Sequence, residues 1–270
     1  MLISIRHVTR YTYPDTANYS VQSLRLRPPN FRGQKVLTWS LKTPALGTPI
    51  QFVDGYGNAV DLIAINTPHS ELVIEASGQV ETENFNGVVR DLPGGAPPRV
   101  YLKETQQTAP DDAIRKLAKA IESEDVLASM HALAERVSED VTYETGMTNA
   151  HTCAAEALAA GKGVCQDHAH IFIAGARCLG IPARYVTGYL HIDGDVAAAA
   201  HHAWSEAYVG GLGWVGFDSA NRICPTERYV RLACGFDAAS AAPIAGTRRG
   251  GGAEILTVDV VVQQQEQQQQ

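Results

Sequence analysis

A thiol, an imidazole and a carboxylate follow one another along the chain, at Cys165, His202 and Asp218. These are the residue types of a nucleophilic triad. The thiolate attacks an acyl carbon, while the imidazole takes up the thiol proton and later delivers one to the leaving group. The carboxylate orients the imidazole and stabilises its charged form. The sequence therefore predicts acyl-transfer chemistry, provided that the fold brings these three side chains together.

Cys165 is predicted to lie in the first turn of a buried helix. Gly161 and Gly163 interrupt the structure before it, and Gly180 ends the helix. One stripe at helical spacing joins Cys165 to His168, Phe172, Gly175, Ala176 and Leu179. Free amide groups and the positive end of the helix dipole favour a thiolate at a helix start. The alternative is a buried structural cysteine, because free cysteines are among the most buried residues.

His202 begins and Asp218 ends a predicted β-hairpin built from the strands HAWSEAY and WVGFD. A four-residue loop would pair Val209 with Trp214 and leave the two side chains on opposite faces of the sheet. A five-residue loop pairs Tyr208 with Trp214 instead, which places His202 diagonally opposite Asp218 on the same face. We predict the five-residue register, or a bulge of equal effect.

An oxyanion hole must accompany such a triad. The backbone N–H of Cys165 is one natural donor, because amides at a helix start have no partner within the helix. Tyr143 and Gln166 are the candidates for the second donor. Trp204, which lies on the His202 strand, is a further candidate for substrate contact.

Other residues offer rival interpretations. His168 lies on the helical stripe of Cys165 and is an alternative base, and together with His170 it could suggest a metal site. The spacing does not match that of zinc ligands, so we predict no metal site. His201 should point to the face of the strand opposite to His202, and Cys178 should pack in the core.

The chain divides into two parts that differ in composition. Residues 1–90 contain short alternating segments separated by turn residues, which predicts an antiparallel β-sandwich. Residues 91–100 form a Pro/Gly-rich linker. Residues 101–262 place helices before strands, an α+β pattern with a last strand at 255–262. We expect a loop of small residues at 193–200 and a disordered Gln-rich tail at 263–270.

Composition restricts the class of protein. The chain has 270 residues, 45% of them hydrophobic, and a formal net charge of −7. No basic block indicates nucleic-acid binding, and no apolar stretch is long enough for a membrane span or a signal peptide. The five cysteines are odd in number and form no Cys-x-x-Cys pair, which argues against a disulfide scaffold. We expect a cytoplasmic protein without a membrane or nucleic-acid partner; the oligomeric state stays open.

Several motifs carry a family resemblance. GVCQDHAH, GIPARYVTGYL and HHAWSEAYVGGLGWVGFD occur in this order after an N-terminal region with RLRP and DGYGN, and GTRRGGGAE lies near the end. Together they resemble the bacterial transglutaminase-like proteins, from the N-terminus to about residue 262. One departure is Ser219-Ala220 after Asp218, where the family often has Pro-Thr or Pro-Ala. This difference affects the turn and leaves the triad residues in place.

The resemblance implies a papain- or transglutaminase-like core behind a bacterial N-terminal β domain. It also implies a triad at Cys165, His202 and Asp218, the same residues that the spacing predicts. Family members act as proteases, amidases, transglutaminases or glycanases through a thioester; the Cys-x-x-Cys zinc module of the glycanases is absent here. We predict hydrolysis of a peptide or isopeptide amide in a protein or peptide substrate, without a cofactor. Amide transfer by a protein-glutamine transglutaminase and a non-catalytic binding scaffold are the alternatives.

Overall fold

The computed structural model describes residues 1–44, 48–193 and 201–265. Six strands come first, namely β1 (Leu2–Leu24), β2 (Gln34–Lys42), β3 (Ile50–Val53), β4 (Ala59–Ile65), β5 (His69–Thr82) and β6 (Val88–Val89). The middle contains two 3-10 helices (Pro98–Leu102 and Gln106–Thr108), α1 (Asp112–Ala120), α2 (Val126–Asp140), β7 (Thr142–Tyr143), α3 (Ala154–Ala160), β8 (Lys162–Gly163) and α4 (Cys165–Cys178). The last strands are β9 (Ala183–Leu190), β10 (His201–Val209), β11 (Gly213–Phe217), β12 (Tyr229–Gly235), β13 (Ile244–Gly250) and β14 (Ile255–Gln264). The predicted α+β class is confirmed.

The N-terminal sheet is organised around the long strand β1. Its order is β2-β5-β1-β4-β3, and β13 and β14 also pair with β1. The register is interrupted between Thr12 and Ala17. The first half of β1 pairs with β5 and β14, and the second half pairs with β4 and β13. Burial alternates along the first half, as expected for an antiparallel sheet with one solvated face.

The buried face of this sheet packs against the rest of the protein. Its core includes Tyr189 from β9 together with Val230 and Leu232 from β12. The second layer behind the N-terminal strands therefore comes from the downstream core, which refines the predicted sandwich. The boundaries also differ from those predicted at 1–90 and 101–262, because β6 pairs with β11 whereas β14 pairs with β1. An alternating pattern identifies a strand but does not name its partner, so the sequence could not place these two strands.

Two side-chain amides join the N-terminal sheet to the outer edge of β12. Gln34 accepts a hydrogen bond from the backbone N–H of Arg231 (2.7 Å) and donates to its carbonyl (2.9 Å). Asn58 makes the same pair of bonds with Cys234, both at 2.8 Å. An unpaired strand edge exposes backbone donors and acceptors. Gln34 and Asn58 thus satisfy the edge of β12 as a neighbouring strand would.

The downstream core consists of a five-stranded sheet, in the order β12-β9-β10-β11-β6, covered by helices. Helix α4 packs against β9 and β10 and is contacted by α1, α2 and α3. Asp111 and Asp125 cap α1 and α2 by accepting hydrogen bonds from first-turn amides. The helix that carries Cys165 is therefore held on all sides, with almost every residue after its first two buried.

A buried ionic cluster ties three strands of the core sheet together. Glu206 on β10 accepts hydrogen bonds from Arg184 on β9 (2.6 Å) and Arg231 on β12 (2.9 Å). The Arg184 guanidinium also lies 4.0 Å from the ring centroid of Trp214, a cation–π contact. Buried charges require such pairing because their desolvation is costly.

The C-terminal tail differs from its prediction at its beginning. Gln263 and Gln264 pair with Ser4 and Ile3 as the end of β14, so the predicted disordered segment 263–270 begins within a strand. Residues 266–270, and residues 194–200 of the predicted loop, lie outside the described residues. None of the helices in the described ranges is long and apolar enough to cross a membrane.

Candidate active site

Cys165 is the first residue of α4 and directly follows the N-cap residue Val164. Asp167 holds this helix start: its Oδ2 accepts hydrogen bonds from the Val164 N–H (2.8 Å) and from the Thr148 hydroxyl (2.6 Å). Gly163 permits this arrangement, because a Cβ at that position would lie 2.7 Å from the Asp167 Cβ. The predicted position of the cysteine, at the amide-rich end of a buried helix, is observed.

The hairpin of β10 and β11 has the predicted register. Tyr208 pairs with Trp214, and the ladder continues to Ser205 opposite Phe217. As a result His202 and Asp218 lie on one face, with His202 Nε2 at 2.6 Å from Asp218 Oδ2. A carboxylate only accepts hydrogen bonds, so Nε2 carries the proton and Nδ1 is the nitrogen available for proton exchange.

Asp218 is fixed by more donors than the sequence indicated. Besides His202, its Oδ2 accepts from the Tyr229 hydroxyl and the Asn221 amide, both at 2.7 Å. Its Oδ1 accepts from the backbone N–H groups of Ala220 (3.1 Å) and Asn221 (3.2 Å). Sequence reasoning missed Tyr229 and Asn221. Asn221 follows Asp218 by three residues in the sequence, which weakly indicated a contact between their side chains. No sequence pattern indicated that Tyr229 contacts Asp218.

These contacts define the electrostatics of the pair. Burial by itself would lower the pKa of His202, but hydrogen bonds to Asp218 and Cys165, together with their charges, raise it to about 10. Burial opposes ionisation of Asp218, yet the hydrogen bonds from His202, Asn221 and Tyr229 hold its pKa below the ordinary value. Both groups are therefore charged at neutral pH, and His202 lies within hydrogen-bonding reach of Cys165.

The three remaining candidates occupy different environments. Tyr143 is half-exposed on β7 near Cys165, and burial together with the nearby Cys165 raises the pKa of Tyr143. Gln166 is partly buried next to Cys165. Trp204 is only 3% exposed and stacks on His202, with ring centroids 6.5 Å apart. Trp204 thus packs against the imidazole of His202, and its contact with substrate stays a prediction.

The rival residues have other partners. The two ring nitrogens of His168 lie 3.0 Å from the carbonyl oxygens of Val141 and Val164. His170 Nε2 accepts from the Ala238 N–H, and His201 Nε2 lies 3.0 Å from the Thr187 hydroxyl. Among the residues that the structure describes, no group of three or more His, Cys, Asp or Glu side chains could hold a metal ion.

Two sequence models of known families match this chain. The model of the transglutaminase-like superfamily matches residues 115–219, which include Cys165, His202 and Asp218. The model of the bacterial transglutaminase-like N-terminal region matches residues 3–81. An uncharacterized protein of Mycobacterium leprae is 30% identical over 274 residues, covering 93% of this chain and 95% of the relative. The chain belongs to the transglutaminase-like superfamily.

Another relative and one solved structure are similar to this transglutaminase-like protein over most of its length. An uncharacterized protein of Mycobacterium tuberculosis is 29% identical over 269 residues, covering 90% of this chain and 86% of the relative. A crystal structure described as that of a proposed cysteine protease from Cytophaga hutchinsonii aligns with a TM-score of 0.76. It is 24% identical and covers 98% of this chain and 92% of that chain. This likeness shows that the fold extends over both the N-terminal sheet and the core.

Proposed function

We propose that this transglutaminase-like protein is a thiol-dependent enzyme that hydrolyses a peptide or isopeptide amide through a thioester on Cys165. The observation that carries the proposal is the arrangement around His202. Its imidazole is hydrogen-bonded to Asp218 on one side and interacts with Cys165, at the start of a buried helix, on the other. A nucleophile, a base and a group that orients the base are what this chemistry requires.

The reaction has two balanced stages. In the first, Cys165 reacts as the thiolate of a thiolate–imidazolium pair, with its proton already held by His202, and the thiolate attacks the amide carbonyl carbon. The tetrahedral intermediate collapses as His202 protonates the departing amine, so the C–N bond breaks and a thioester forms. In the second, His202 takes a proton from water, and the resulting hydroxide attacks the thioester. The carboxylic acid leaves, and Cys165 regains its thiolate. Asp218 stabilises the imidazolium throughout.

Two donors would stabilise the oxyanion of both intermediates. The Cys165 backbone N–H is one, since the first amides of a helix have no intrahelical partner. The Tyr143 hydroxyl is the second donor that we propose, because Tyr143 lies close enough to Cys165 for the two groups to influence each other's charge. Gln166 makes no side-chain hydrogen bond within the described parts of the chain and is the weaker candidate.

Hydrolysis is proposed over transfer because of competition at the thioester. An amine resolves a thioester only if the protein binds it and keeps water away. Cys165 is partly exposed to solvent, so water reaches the sulfur without a dedicated binding site. The chemistry of the first stage is identical for hydrolysis and for transfer, and the acceptor alone distinguishes them.

The test follows the fate of two defined substrates by mass spectrometry. One is a peptide pair joined by an ε-(γ-glutamyl)lysine isopeptide, and the other is a glutamine-containing peptide; both are incubated with and without methylamine. We expect amide cleavage or deamidation that depends on Cys165 and is abolished in Cys165→Ser. Methylamine incorporation in excess of hydrolysis would replace hydrolase with transferase. The absence of product from both substrates, together with no selective alkylation of Cys165, would favour a binding scaffold.

A further inference from the structure

The turn that follows Asp218 contains a strained residue, Arg222. Its φ is +58°, in the left-handed region that side chains other than glycine adopt at a cost in free energy. In the parts of the chain that the structure describes, the other non-glycine residues with a positive φ are Asn86 and Asp91. Asparagine and aspartate enter this region more readily, because their short polar side chains bond to the local backbone. Arginine has no such compensation, and backbone strain of this kind is concentrated at functional sites.

The strain occurs next to the carboxylate of the proposed triad. The turn is closed by two backbone hydrogen bonds between Asp218 and Ile223, at 2.9 and 3.2 Å. Within it, Asn221 donates from its side-chain amide to Asp218 Oδ2 (2.7 Å) and from its backbone N–H to Oδ1 (3.2 Å). The same side-chain nitrogen lies 3.3 Å from His202 Nε2. Asn221 therefore contacts both members of the His202–Asp218 pair, and its position depends on the conformation of its neighbour Arg222.

The side chain of Arg222 ties this turn to helix α2. Its Nε donates to the Ser138 hydroxyl at 2.7 Å, and its Nη2 lies 3.5 Å from the Ser138 carbonyl oxygen. Ser138 belongs to the last turn of α2, where the negative end of the helix dipole favours a cation. The N–H of Thr142, which would pair with this carbonyl in a longer helix, donates to Gly161 instead. The tie therefore has both a hydrogen-bonding and an electrostatic component.

Helix α2 is in turn fixed relative to the nucleophile. It packs against α4, whose first residue is Cys165. The two helices approach closely at Gly175, where a Cβ would lie 2.9 Å from Leu133 Cδ1 of α2. The contact between the turn and α2 thus joins the carboxylate end of the triad to the helices that hold the thiol.

We propose that Arg222 is a positioning residue of the triad and that it acts through Asn221. Its tie to Ser138 offsets the strain of the left-handed conformation and holds Asn221 against Asp218. When the tie is lost, the turn relaxes, Asn221 moves away from the carboxylate, and the imidazole is no longer held beside the thiol. This inference rests on the proposed function, since it assumes that the thiol and the imidazole react as a pair.

The test measures how the alkylation of Cys165 by chloroacetamide depends on pH, by mass spectrometry of the modified peptide. An ordinary thiol reacts about 25-fold faster at pH 9 than at pH 7, because its pKa is about 8.5. In the wild type, a thiolate paired with the imidazolium should react at nearly the same rate at both pH values. The ratio of the two rates therefore reports the positioning of the imidazole, and the stability of the fold does not enter it.

Arg222→Gly is the decisive variant, because glycine adopts a positive φ without strain but has no side chain to bind Ser138. If Arg222 only shaped the turn, this change would be neutral. We expect instead that the rate at pH 7 falls about tenfold while the rate at pH 9 stays unchanged, as for the loss of one hydrogen bond to a charged group. Ser138→Ala removes the hydroxyl acceptor from the other side of the tie and should shift the ratio in the same direction.

Asn221→Ala tests the route from Arg222 to the triad. It should change the ratio as Arg222→Gly does, and the double variant should be no worse than Asn221→Ala alone, since the two residues act in series. Arg136→Ala is the matched control, because Arg136 pairs with Asp140 at the same end of α2 (2.8 Å). Its ratio should equal that of the wild type.

A wild-type ratio in both Arg222→Gly and Ser138→Ala would overturn the proposed role of Arg222. Additive effects of Arg222→Gly and Asn221→Ala would also overturn it, because the change would then not pass through Asn221. An equal effect of Arg136→Ala would do the same, since the charge at the end of α2 would then explain the result. A wild type whose rate itself rises about 25-fold from pH 7 to pH 9 would instead refute the proposed function.

Discussion

The Tyr229 hydroxyl is a support of the triad that can be removed without changing the shape of the side chain. It donates to Asp218 Oδ2 at 2.7 Å and has no other hydrogen-bond partner within the described residues. Tyr229→Phe deletes this one donor and leaves no orphaned group on residue 229. Asp218 keeps four donated hydrogen bonds, from His202, Ala220 and, twice, Asn221. The perturbation therefore isolates a single bond to a buried carboxylate.

The expected loss of stability in Tyr229→Phe follows from the negative charge of Asp218, which accepts the hydrogen bond. Hydrogen bonds to charged groups contribute about 1.5–3 kcal/mol. We expect Tyr229→Phe to lower the free energy of unfolding at pH 7 by about 1.5–3 kcal/mol and to raise the pKa of Asp218. Because Asp218 orients His202, the alkylation rate of Cys165 should also fall. The decrease is about tenfold if ~1.4 kcal/mol of the lost stabilisation weakens the interaction of Asp218 with the imidazole.

A double-mutant cycle with Asp218→Asn provides the assay. Urea unfolding at pH 7 is measured for the wild type, Tyr229→Phe, Asp218→Asn and the double variant. The structure predicts a coupling energy above about 1 kcal/mol, since the two groups are in direct contact. Tyr208→Phe is the control, because Tyr208 is partly exposed and its hydroxyl makes no hydrogen bond within the described chain. If the stability losses of Tyr229→Phe and Asp218→Asn were additive, or if Tyr229→Phe lost no more stability than Tyr208→Phe, the Tyr229 hydroxyl would not support Asp218.

Three further predictions test the scaffold and its charges. Asn58→Leu leaves a backbone N–H and C=O of β12 without their amide partner and should lower the free energy of unfolding by about 2–4 kcal/mol; a urea midpoint equal to that of the wild type would contradict this. Glu206→Gln leaves its two buried arginines uncompensated and should cost about 3–5 kcal/mol in the same assay; a loss below about 1 kcal/mol would contradict it. The pKa of His202 rises from 6.5 to about 10 on folding. The stabilisation that protonated His202 adds to the free energy of unfolding is therefore complete below pH 6.5 and declines as the pH rises through about 10. The stability difference between the wild type and His202→Gln should therefore shrink between pH 7 and pH 10, and a constant difference would argue against it.

Local patterns were sufficient to predict the elements that present the active-site residues. The helical stripe and the flanking glycines located the start of α4, and the hairpin geometry selected the observed pairing of Tyr208 with Trp214. Both inferences depend on periodicities that act over a few residues. The same reasoning placed His202 and Asp218 on one face of the sheet, as the structure has them.

Long-range pairings were beyond the reach of such patterns. Tyr229 reaches Asp218 across a turn whose course depends on tertiary packing. The pairing of β14 with β1 joins segments some 250 residues apart, and alternation in β14 is compatible with several partners. The stacking of the Trp204 ring on the His202 imidazole likewise depends on the packing of the whole sheet. Strand register and burial in the whole fold, and not residue type, determine the partners of Tyr229, β14 and Trp204.

The most direct test of the account compares two cysteines of one helix. Cys165 is the first residue of α4 and Cys178 is the last, and burial raises the pKa of the Cys178 thiol. Second-order rate constants for chloroacetamide are measured for each cysteine at pH 7, in the wild type and in His202→Gln. We predict that Cys165 reacts at least about 100-fold faster than Cys178, and that His202→Gln removes this advantage without changing the Cys178 rate. Equal rates for the two cysteines, or a Cys165 rate that is insensitive to His202→Gln, would contradict it.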